Sequence, residues 1–311
     1  MVNIRRISKL LRGNSVFVHK NSFLSLPSLL REKGYCVTVA TSDLRFTQGP
    51  VDTAYTEEED IVYLRDSHEP SSWTKHFLSR YISDEEKNAL LIGPKKSSKK
   101  LLDFFDVRKR FYTDGLLVAK LGQQEEQYSL KEYTFKECVD GVCVDFITAK
   151  GLFSYSHLDH ATRFLLETIT LDEKSTVLDF GVGYGAITCF LAKKYDESRF
   201  VGIDSTEVAV EYAKKNVLSN GVDERVNIEQ AYLLSSVSKK VDAVVCNPPT
   251  HISQGEARTV FQQMKDVLKE GGVVFMVVNK AVQYESLLEP IFGRVGLVGE
   301  RGKFKILSVK K

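Results

Sequence analysis

The stretch that decides the fold of this chain is Leu178-Asp179-Phe180-Gly181-Val182-Gly183-Tyr184-Gly185. It joins the end of an apolar run to three glycines at alternate positions. A glycine-rich turn between a strand and a helix lets the backbone come close to a ligand and presents free N–H groups at the start of the helix. The stretch therefore predicts a strand that ends at residue 180, a ligand-binding turn and a helix after it.

The pattern around this turn continues to the end of the chain. From about residue 175 onward, buried-strand runs alternate with amphipathic stretches, which is typical of a parallel sheet with helices on both faces. We predict strands over residues 176–180, 200–203, 226–229, 241–246, 273–278, 295–299 and 304–309. The connection 300–303 is too short for a crossover helix, so the last two strands should pair antiparallel. The predicted fold class is α/β, with a doubly wound, seven-stranded, Rossmann-like sheet.

Two helices of this part follow from the spacing of apolar residues. One begins near Ser156 and turns Leu158, Ala161, Leu165 and Ile169 to a single face. The other runs from Ala257 to Leu268, and Gly271-Gly272 provide the left-handed stop that glycine adopts at low cost.

The first part of the chain predicts a smaller α/β domain. Strands are expected over residues 35–40, 61–64, 89–92 and 116–120, with a short helix around residues 101–105. Alternating apolar and polar residues over 128–146 surround Asp140-Gly141, which is a hairpin signal. We therefore divide the chain into an N-terminal domain, residues 1–127, and a catalytic domain, residues 128–311.

Charge and cysteine content narrow the possible partners. The net charge of +2 means that any polyanion must meet a local basic patch. Two such patches, Arg5–Lys20 and Lys95–Arg110, could equally be solvated surface or contacts to RNA phosphates.

Five cysteines without metal-ligand spacing predict free thiols and no metal site. With no signal peptide and no long apolar run, we expect a cytoplasmic protein that does not enter a membrane.

The glycine turn and two acidic residues predict a cofactor site. Gly181, Gly183 and Gly185 would leave room for the ligand, and Asp204 at the end of the second strand would accept ribose hydroxyl groups. These features suit both a nicotinamide dinucleotide and S-adenosylmethionine. Asp179 favours S-adenosylmethionine, since its carboxylate could bind the ammonium of a methionine moiety, which a dinucleotide lacks.

A second motif, Asn247-Pro248-Pro249-Thr250, follows the strand over 241–246 and predicts the catalytic site. The side-chain oxygen of Asn247 and the carbonyl oxygen of Pro248 are acceptors, so together they can hold both hydrogens of an exocyclic NH2 group. These contacts would aim the nitrogen lone pair at a methyl donor and stabilise its growing positive charge. The alternative is an Asn-Pro turn without a catalytic role.

The base that accepts the methyl group also needs a side chain that stacks on the face of its ring. A base inside a duplex cannot reach such a pocket, so the target must be single-stranded or flipped out. We expect Pro249, Thr250 and His251 to line the pocket, and Phe153, Tyr184 or His251 to stack on the base.

From about residue 128 onward the chain resembles the small-subunit ribosomal RNA guanine-N2 methyltransferases of the C type, in the class I methyltransferase superfamily. The residues that carry the resemblance are Gly151-Leu152-Phe153-Ser154, Leu158-Asp159, the two motifs above, His251, Asn279, Tyr284, Ile291-Phe292-Gly293 and Lys303-Phe304-Lys305-Ile306-Leu307. The resemblance implies a seven-stranded methyltransferase sheet, S-adenosylmethionine as methyl donor and guanine N2 in ribosomal or transfer RNA as acceptor. It also implies an N-terminal half that is a degenerate copy of the same fold and helps to bind RNA.

Three residues depart from the family pattern. Thr250 replaces an aromatic residue, Val182 replaces a small residue or cysteine, and Tyr232 replaces the acidic or amide residue that would meet the adenine of the cofactor. Guanine N7 or another base amine in transfer RNA therefore stays open as the acceptor. So do a catalytically silent RNA-binding assembly factor and a nicotinamide dehydrogenase.

Overall fold

The chain forms two compact units, Met1–Lys131 and Glu132–Lys311. The computed structural model describes residues 15–20, 36–40, 60–64, 71–81, 89–113, 116–122, 128–231, 233–234, 237, 239–248 and 254–311. The boundary predicted after residue 127 lies a few residues before this division.

The first unit contains a six-stranded mixed sheet. Its elements are β1 Ser15–Lys20, β2 Cys36–Ala40, β3 Asp60–Leu64, α1 Ser71–Tyr81, β4 Ala89–Pro94, α2 Lys95–Ser98, β5 Val107–Thr113 and β6 Leu116–Leu121. The strand order is β2-β1-β3-β4-β6-β5. The first four strands are parallel, while β6 is antiparallel to both of its neighbours.

Four strands of this unit agree with the prediction, and three elements were not predicted. The missed elements are β1, β5 and α1. In β5, Arg108, Lys109 and Arg110 are consecutive and exposed, which hides the alternation that marks a strand. An edge strand tolerates such charges because only one side of it pairs. The predicted helix around residues 101–105 is instead α2, a short 3-10 helix over Lys99–Leu101 and a turn.

The second unit contains the predicted seven-stranded sheet. Its elements are β7 Glu132–Val139, β8 Val142–Ala149, α3 His160–Thr168, β9 Thr176–Phe180, α4 Ala186–Lys194, β10 Arg199–Asp204, α5 Glu207–Ser219, β11 Val226–Gln230, β12 Val241–Cys246, α6 Gln254–Val267, β13 Leu268–Asn279, α7 Glu285–Phe292, β14 Val295–Arg301 and β15 Phe304–Lys310. The order β11-β10-β9-β12-β13-β15-β14 is parallel except for β15, which is antiparallel to both neighbours. The fold class and the closing hairpin are therefore confirmed.

The two sheets repeat one strand order. Six strands of the first unit, β2-β1-β3-β4-β6-β5, follow the same sequence of connections and directions as β10-β9-β12-β13-β15-β14 of the second. Within the described residues, no strand pairs with the outer side of β2 as β11 pairs with β10. This order is the one that a shortened copy of the fold would have, while its role in RNA binding stays a prediction.

Local sequence explains the two predicted helices. The face of α3 that carries Ala161 and Leu165 is buried, as are Leu158 before it and Ile169 after it. In α6, the apolar residues pack into the core beside β12 and β13. The prediction for its end was wrong by one residue, since Leu268 already belongs to β13. The predicted stop at Gly271-Gly272 is also wrong, because both glycines lie inside β13, where Gly271 adopts a left-handed φ of 77° at the register shift between β12 and β13.

The hairpin β7–β8 forms as predicted, with Asp140 and Gly141 at φ 48° and 82° in the turn. It places Cys138 directly opposite Cys143, and the two form a disulfide with a Cα–Cα distance of 4.1 Å. The prediction of free thiols is therefore wrong for these two residues, because the turn brings together cysteines whose spacing gave no sign of pairing. Cys189 and Cys246 are free and buried.

Candidate active site

Three strand ends define the site. Phe180, the last residue of β9, pairs with Ile203 of β10 on one side and with Cys246 of β12 on the other. These strands are parallel, so the segments that follow them leave the same edge of the sheet. The glycine turn, Asp204 and Asn247 are thereby brought to one edge, as the sequence predicted.

The glycine turn is held against the end of β10. The N–H groups of Gly181 and Val182 both donate to the carbonyl oxygen of Ile203 at 2.9 Å. Gly181, Gly183 and Gly185 have φ values of 78°, 56° and 91°, which side chains disfavour. A Cβ atom on Gly181 or Gly183 would meet nothing within 4 Å, whereas one on Gly185 would meet Ala213 at 3.4 Å. The first two glycines thus border open space, and the third packs against α5.

Asp179 is a buried carboxylate with one oxygen unused. Its side chain is 1% exposed. The Oδ2 atom accepts hydrogen bonds from the N–H and hydroxyl groups of Thr188 at 3.1 and 2.7 Å, while Oδ1 has no partner among the described residues. Desolvation by burial raises the pKa of Asp179 to about 7, against the lowering effect of the Thr188 hydrogen bonds. A buried acceptor of this kind fits a ligand that carries an ammonium group.

Asp204 ends β10, where its role was predicted, and the protein already uses both of its oxygens. Oδ2 accepts from the N–H group of Gly183 at 3.0 Å. Oδ1 accepts from the N–H and hydroxyl groups of Thr206, each at 2.9 Å. These hydrogen bonds fix the glycine turn and the start of α5 against the end of β10. The contact of Asp204 with ribose stays a prediction.

Asn247 follows β12 and is fixed by α3. Its Nδ2 atom donates to Oδ2 of Asp159 at 3.1 Å and to Oγ1 of Thr162 at 3.0 Å. Asp159 caps the N-terminus of α3 by accepting from the N–H group of Thr162 at 3.0 Å. Pro248, the next residue, is buried. Oδ1 of Asn247 meets no donor from the described part of the chain.

The two described aromatic residues that were predicted to stack on the base differ in exposure. Phe153 is 65% exposed, and its contact with a base stays a prediction. Tyr184 is only 3% exposed and packs edge-on against Phe146 and Phe135, so its expected stacking role is wrong. The physical reason is that Asn216 of α5 donates to the carbonyl oxygen of Tyr184 and to that of Ile147 in β8, both at 2.8 Å, which keeps this residue against the hairpin.

Several predicted residues lie outside the part of the chain that the structure describes. They are Pro249, Thr250 and His251 of the acceptor motif, Tyr232 after the third strand, and Arg5, Arg6, Lys9 and Arg12 of the first basic patch. In the second patch, Lys95, Lys96, Lys99, Arg108, Lys109 and Arg110 are exposed. In the described ranges, no group of three or more His, Cys, Asp or Glu side chains could hold a metal ion, and no helix is both long and apolar enough to cross a membrane.

Sequence reasoning missed the residues that fix this site. Thr188 binds Asp179, Asn216 holds the glycine turn, and Thr162 binds Asn247. Thr162 and Asn247 are 85 positions apart in the sequence. No local pattern signals such a contact, although Leu158-Asp159 was noted as part of a motif.

Comparison with known proteins gives one family match and several relatives. Residues 143–308 match the model of the family described as Methyltransferase small domain. The chain is 28% identical over 233 residues to a ribosomal RNA small subunit methyltransferase C from Psychromonas ingrahamii, with 70% of this chain and 66% of the relative covered. It is 34% identical over 170 residues to a ribosomal RNA large subunit methyltransferase G from Shewanella amazonensis, with 52% and 44% covered. The chain thus spans about two thirds of the first relative and less than half of the second.

A solved structure has a similar fold over almost the whole chain. It is a 16S rRNA N2 methyltransferase from T. thermophilus in complex with AdoMet and guanosine, with a TM-score of 0.71 and 21% identity. The match covers 96% of this chain and 88% of that protein. At this identity the likeness concerns the fold.

Proposed function

Because this chain belongs to the Methyltransferase small domain family, whose model matches residues 143–308, we propose that it methylates guanine in ribosomal RNA at the exocyclic N2 amine, with S-adenosylmethionine as donor. One observation carries this proposal. Among the described residues, Oδ1 of the buried Asp179 and the amide oxygen of Asn247 have no hydrogen-bond donor, and both residues lie at the carboxyl ends of neighbouring parallel strands.

The donor side of the site suits S-adenosylmethionine. When bound, this cofactor supplies a methyl group on a positively charged sulfur. Asp179 would accept hydrogen bonds from its ammonium group, and Asp204 would accept from the ribose hydroxyls. Gly181 and Gly183 border the open space that the cofactor needs, with Gly185 starting α4 behind them. Tyr232 would meet the adenine. A nicotinamide dinucleotide has no ammonium group to use the open oxygen of Asp179.

On the acceptor side, Asn247 and Pro248 would bind the amine. A base amine is a poor nucleophile because its lone pair is delocalised into the ring. Hydrogen bonds from its two hydrogens to Oδ1 of Asn247 and to the carbonyl oxygen of Pro248 would favour a pyramidal nitrogen and stabilise the charge that develops on it. No strong general base is needed. Phe153 is exposed enough to stack on the base, and Pro249, Thr250 and His251 would complete the pocket.

Ribosomal RNA is the substrate class that the relatives support. One relative is named for the small subunit and the other for the large subunit. The exposed cations between Lys95 and Arg110, together with the basic segment Arg5–Lys20, would bind RNA phosphates. The guanine would have to be unpaired or flipped out to reach Asn247. We place this activity in the cytoplasm.

The proposal is tested with unmodified RNA. The purified protein is incubated with labelled S-adenosylmethionine and, separately, with small-subunit rRNA, large-subunit rRNA and tRNA, and the digested nucleosides are identified by mass spectrometry. We expect N2-methylguanosine in one of the two ribosomal RNAs. Formation of 7-methylguanosine would contradict the assigned atom. RNA binding without transfer to any of the three RNAs would favour the silent assembly factor.

A further inference from the structure

We infer that Asp159 and Thr162 are positioning residues: they orient the carboxamide of Asn247 so that its oxygen is left for the acceptor, and they thereby restrict the acceptor to a nitrogen that carries hydrogens. This inference rests on the proposed function of Asn247.

The chemistry of Asp159 fixes which way the amide points. The nitrogen and oxygen of a carboxamide have the same shape, so their assignment depends on their hydrogen-bond partners. An ionised carboxylate only accepts hydrogen bonds. The amide atom 3.1 Å from Oδ2 of Asp159 must therefore be the nitrogen. The reverse orientation would set two acceptors against each other.

Thr162 occupies the second hydrogen of the same nitrogen. Its hydroxyl group has one hydrogen, which is directed to Oδ2 of Asp159 at 3.4 Å. Its lone pairs then accept from Nδ2 of Asn247 at 3.0 Å. Thr162 is 5% exposed, so water does not readily replace this contact. Both hydrogens of Nδ2 are thus used, and the only group of the side chain left to bind a substrate is the acceptor Oδ1.

The network is held by a fixed helix. Asp159 caps α3, and the next turn carries Arg163, which donates to the carbonyl oxygen of Cys138 in β7 at 3.0 Å and pairs with Glu137. Phe164 and Leu165 of α3 are buried. A side chain whose partners are held in this way keeps its geometry when a substrate binds.

An acceptor-only site discriminates between nitrogens of a base. An exocyclic amine presents two hydrogens to such a site. A ring nitrogen such as guanine N7 presents a lone pair, which Oδ1 of Asn247 would repel. The network around Asn247 therefore decides between the two acceptor classes that the sequence left open, in favour of the amine.

Matched variants separate positioning from folding. Thr162→Val keeps the shape of the side chain and removes its hydroxyl group, while Thr162→Ser restores the hydroxyl group. Asp159→Ser keeps a helix cap but is too short to reach Asn247, whereas Asp159→Asn keeps an oxygen for both contacts. We measure kcat, KM for RNA, the Kd for S-adenosylhomocysteine, the unfolding temperature and the identity of the methylated nucleoside.

We expect Thr162→Val and Asp159→Ser to lower kcat by about 10- to 100-fold, because a misplaced catalytic group costs rate. Their KM and Kd should stay within about twofold of the wild type, and Thr162→Ser and Asp159→Asn should recover most of the rate. An unchanged kcat in Thr162→Val and Asp159→Ser would overturn the inference while leaving the proposed function intact.

Two further results are decisive. A parallel loss of kcat, Kd and unfolding temperature in all four variants would make the network merely structural and overturn the inference. A wild-type protein that methylates no guanine would instead refute the proposed function, and one that forms 7-methylguanosine would overturn both.

Discussion

The ionisation of Asp179 gives the sharpest prediction, because a buried carboxylate oxygen without a partner in the described part of the chain links stability, pH and cofactor binding. Burial raises the pKa of Asp179 from 3.8 to about 7. Between these two values the unfolded chain has lost the proton and the folded chain has kept it. The contribution of Asp179 to stability is therefore fully present below pH 3.8 and is lost as the pH rises to about 7. The pKa change corresponds to about 4 kcal/mol.

The perturbation that isolates this effect is Asp179→Asn, which does not ionise. An amide oxygen can still accept the hydrogen bonds of Thr188. We expect the variant to gain stability relative to the wild type as the pH rises from about 4.5 to about 8, by about 3 to 4 kcal/mol over that range. The assay is hydrogen exchange of peptides from β9 and α4, compared between the two proteins at each pH so that intrinsic exchange rates cancel.

Bound cofactor should offset the loss of stability that ionisation of Asp179 causes, and it should do so in the wild type alone. Its ammonium group would stabilise the ionised carboxylate, so S-adenosylhomocysteine should raise the unfolding temperature of the wild type more at about pH 8 than at about pH 6. At about pH 8, Asp179→Asn should bind S-adenosylhomocysteine more weakly than the wild type does. The reasoning is refuted if the stability difference between the two proteins does not change with pH, since Asp179 would then titrate normally.

Three other predictions use the same protein. Asn247→Ala should lower kcat by about 100-fold or more with little change in the Kd for S-adenosylhomocysteine; undiminished turnover would remove Asn247 from catalysis. Replacing Lys95 and Lys99 by Ala should weaken RNA binding. The slope of the logarithm of the RNA association constant against the logarithm of salt concentration should fall in magnitude by about 0.7 to 0.9 for each phosphate that the variant no longer neutralises. An unchanged slope would mean that the RNA binds elsewhere. Cys138→Ser should cost about 2 kcal/mol by removing the cross-link of a short loop without changing kcat, when both proteins are compared by thermal unfolding and steady-state assays in buffer without reductant. An equal unfolding temperature of the two proteins would show that the cross-link adds no stability.

Much of the fold could be predicted because the signal is local. Most strands of the seven-stranded sheet are apolar runs bounded by turn residues, and period-3.6 spacing marks α6. The strand β5 escaped prediction for the opposite reason. Val107–Thr113 is rich in cations, and its position at the sheet edge, which permits those charges, is a property of the assembled sheet.

Part of the candidate site could be predicted for a similar reason. Parallel strands deliver whatever follows their carboxyl ends to one edge, so Asp179, Asp204 and Asn247 could be grouped from strand positions alone. The role of each side chain at this edge was harder to predict from the sequence. Tyr184 was expected to stack on a base, yet the contacts of Asn216 and the β7–β8 hairpin bury it.

The sequence by itself determined the strands of the seven-stranded sheet, the glycine turn and the position of an amide after the fourth strand of that sheet. These follow from residue type and short-range periodicity, which act over a few positions of the chain. Only the tertiary structure decided which atom of Asn247 and which oxygen of Asp179 lack a partner among the residues that the structure describes. The reason is that hydrogen bonds are directional and short, and the partner that turns Asn247 lies 88 positions away in the chain.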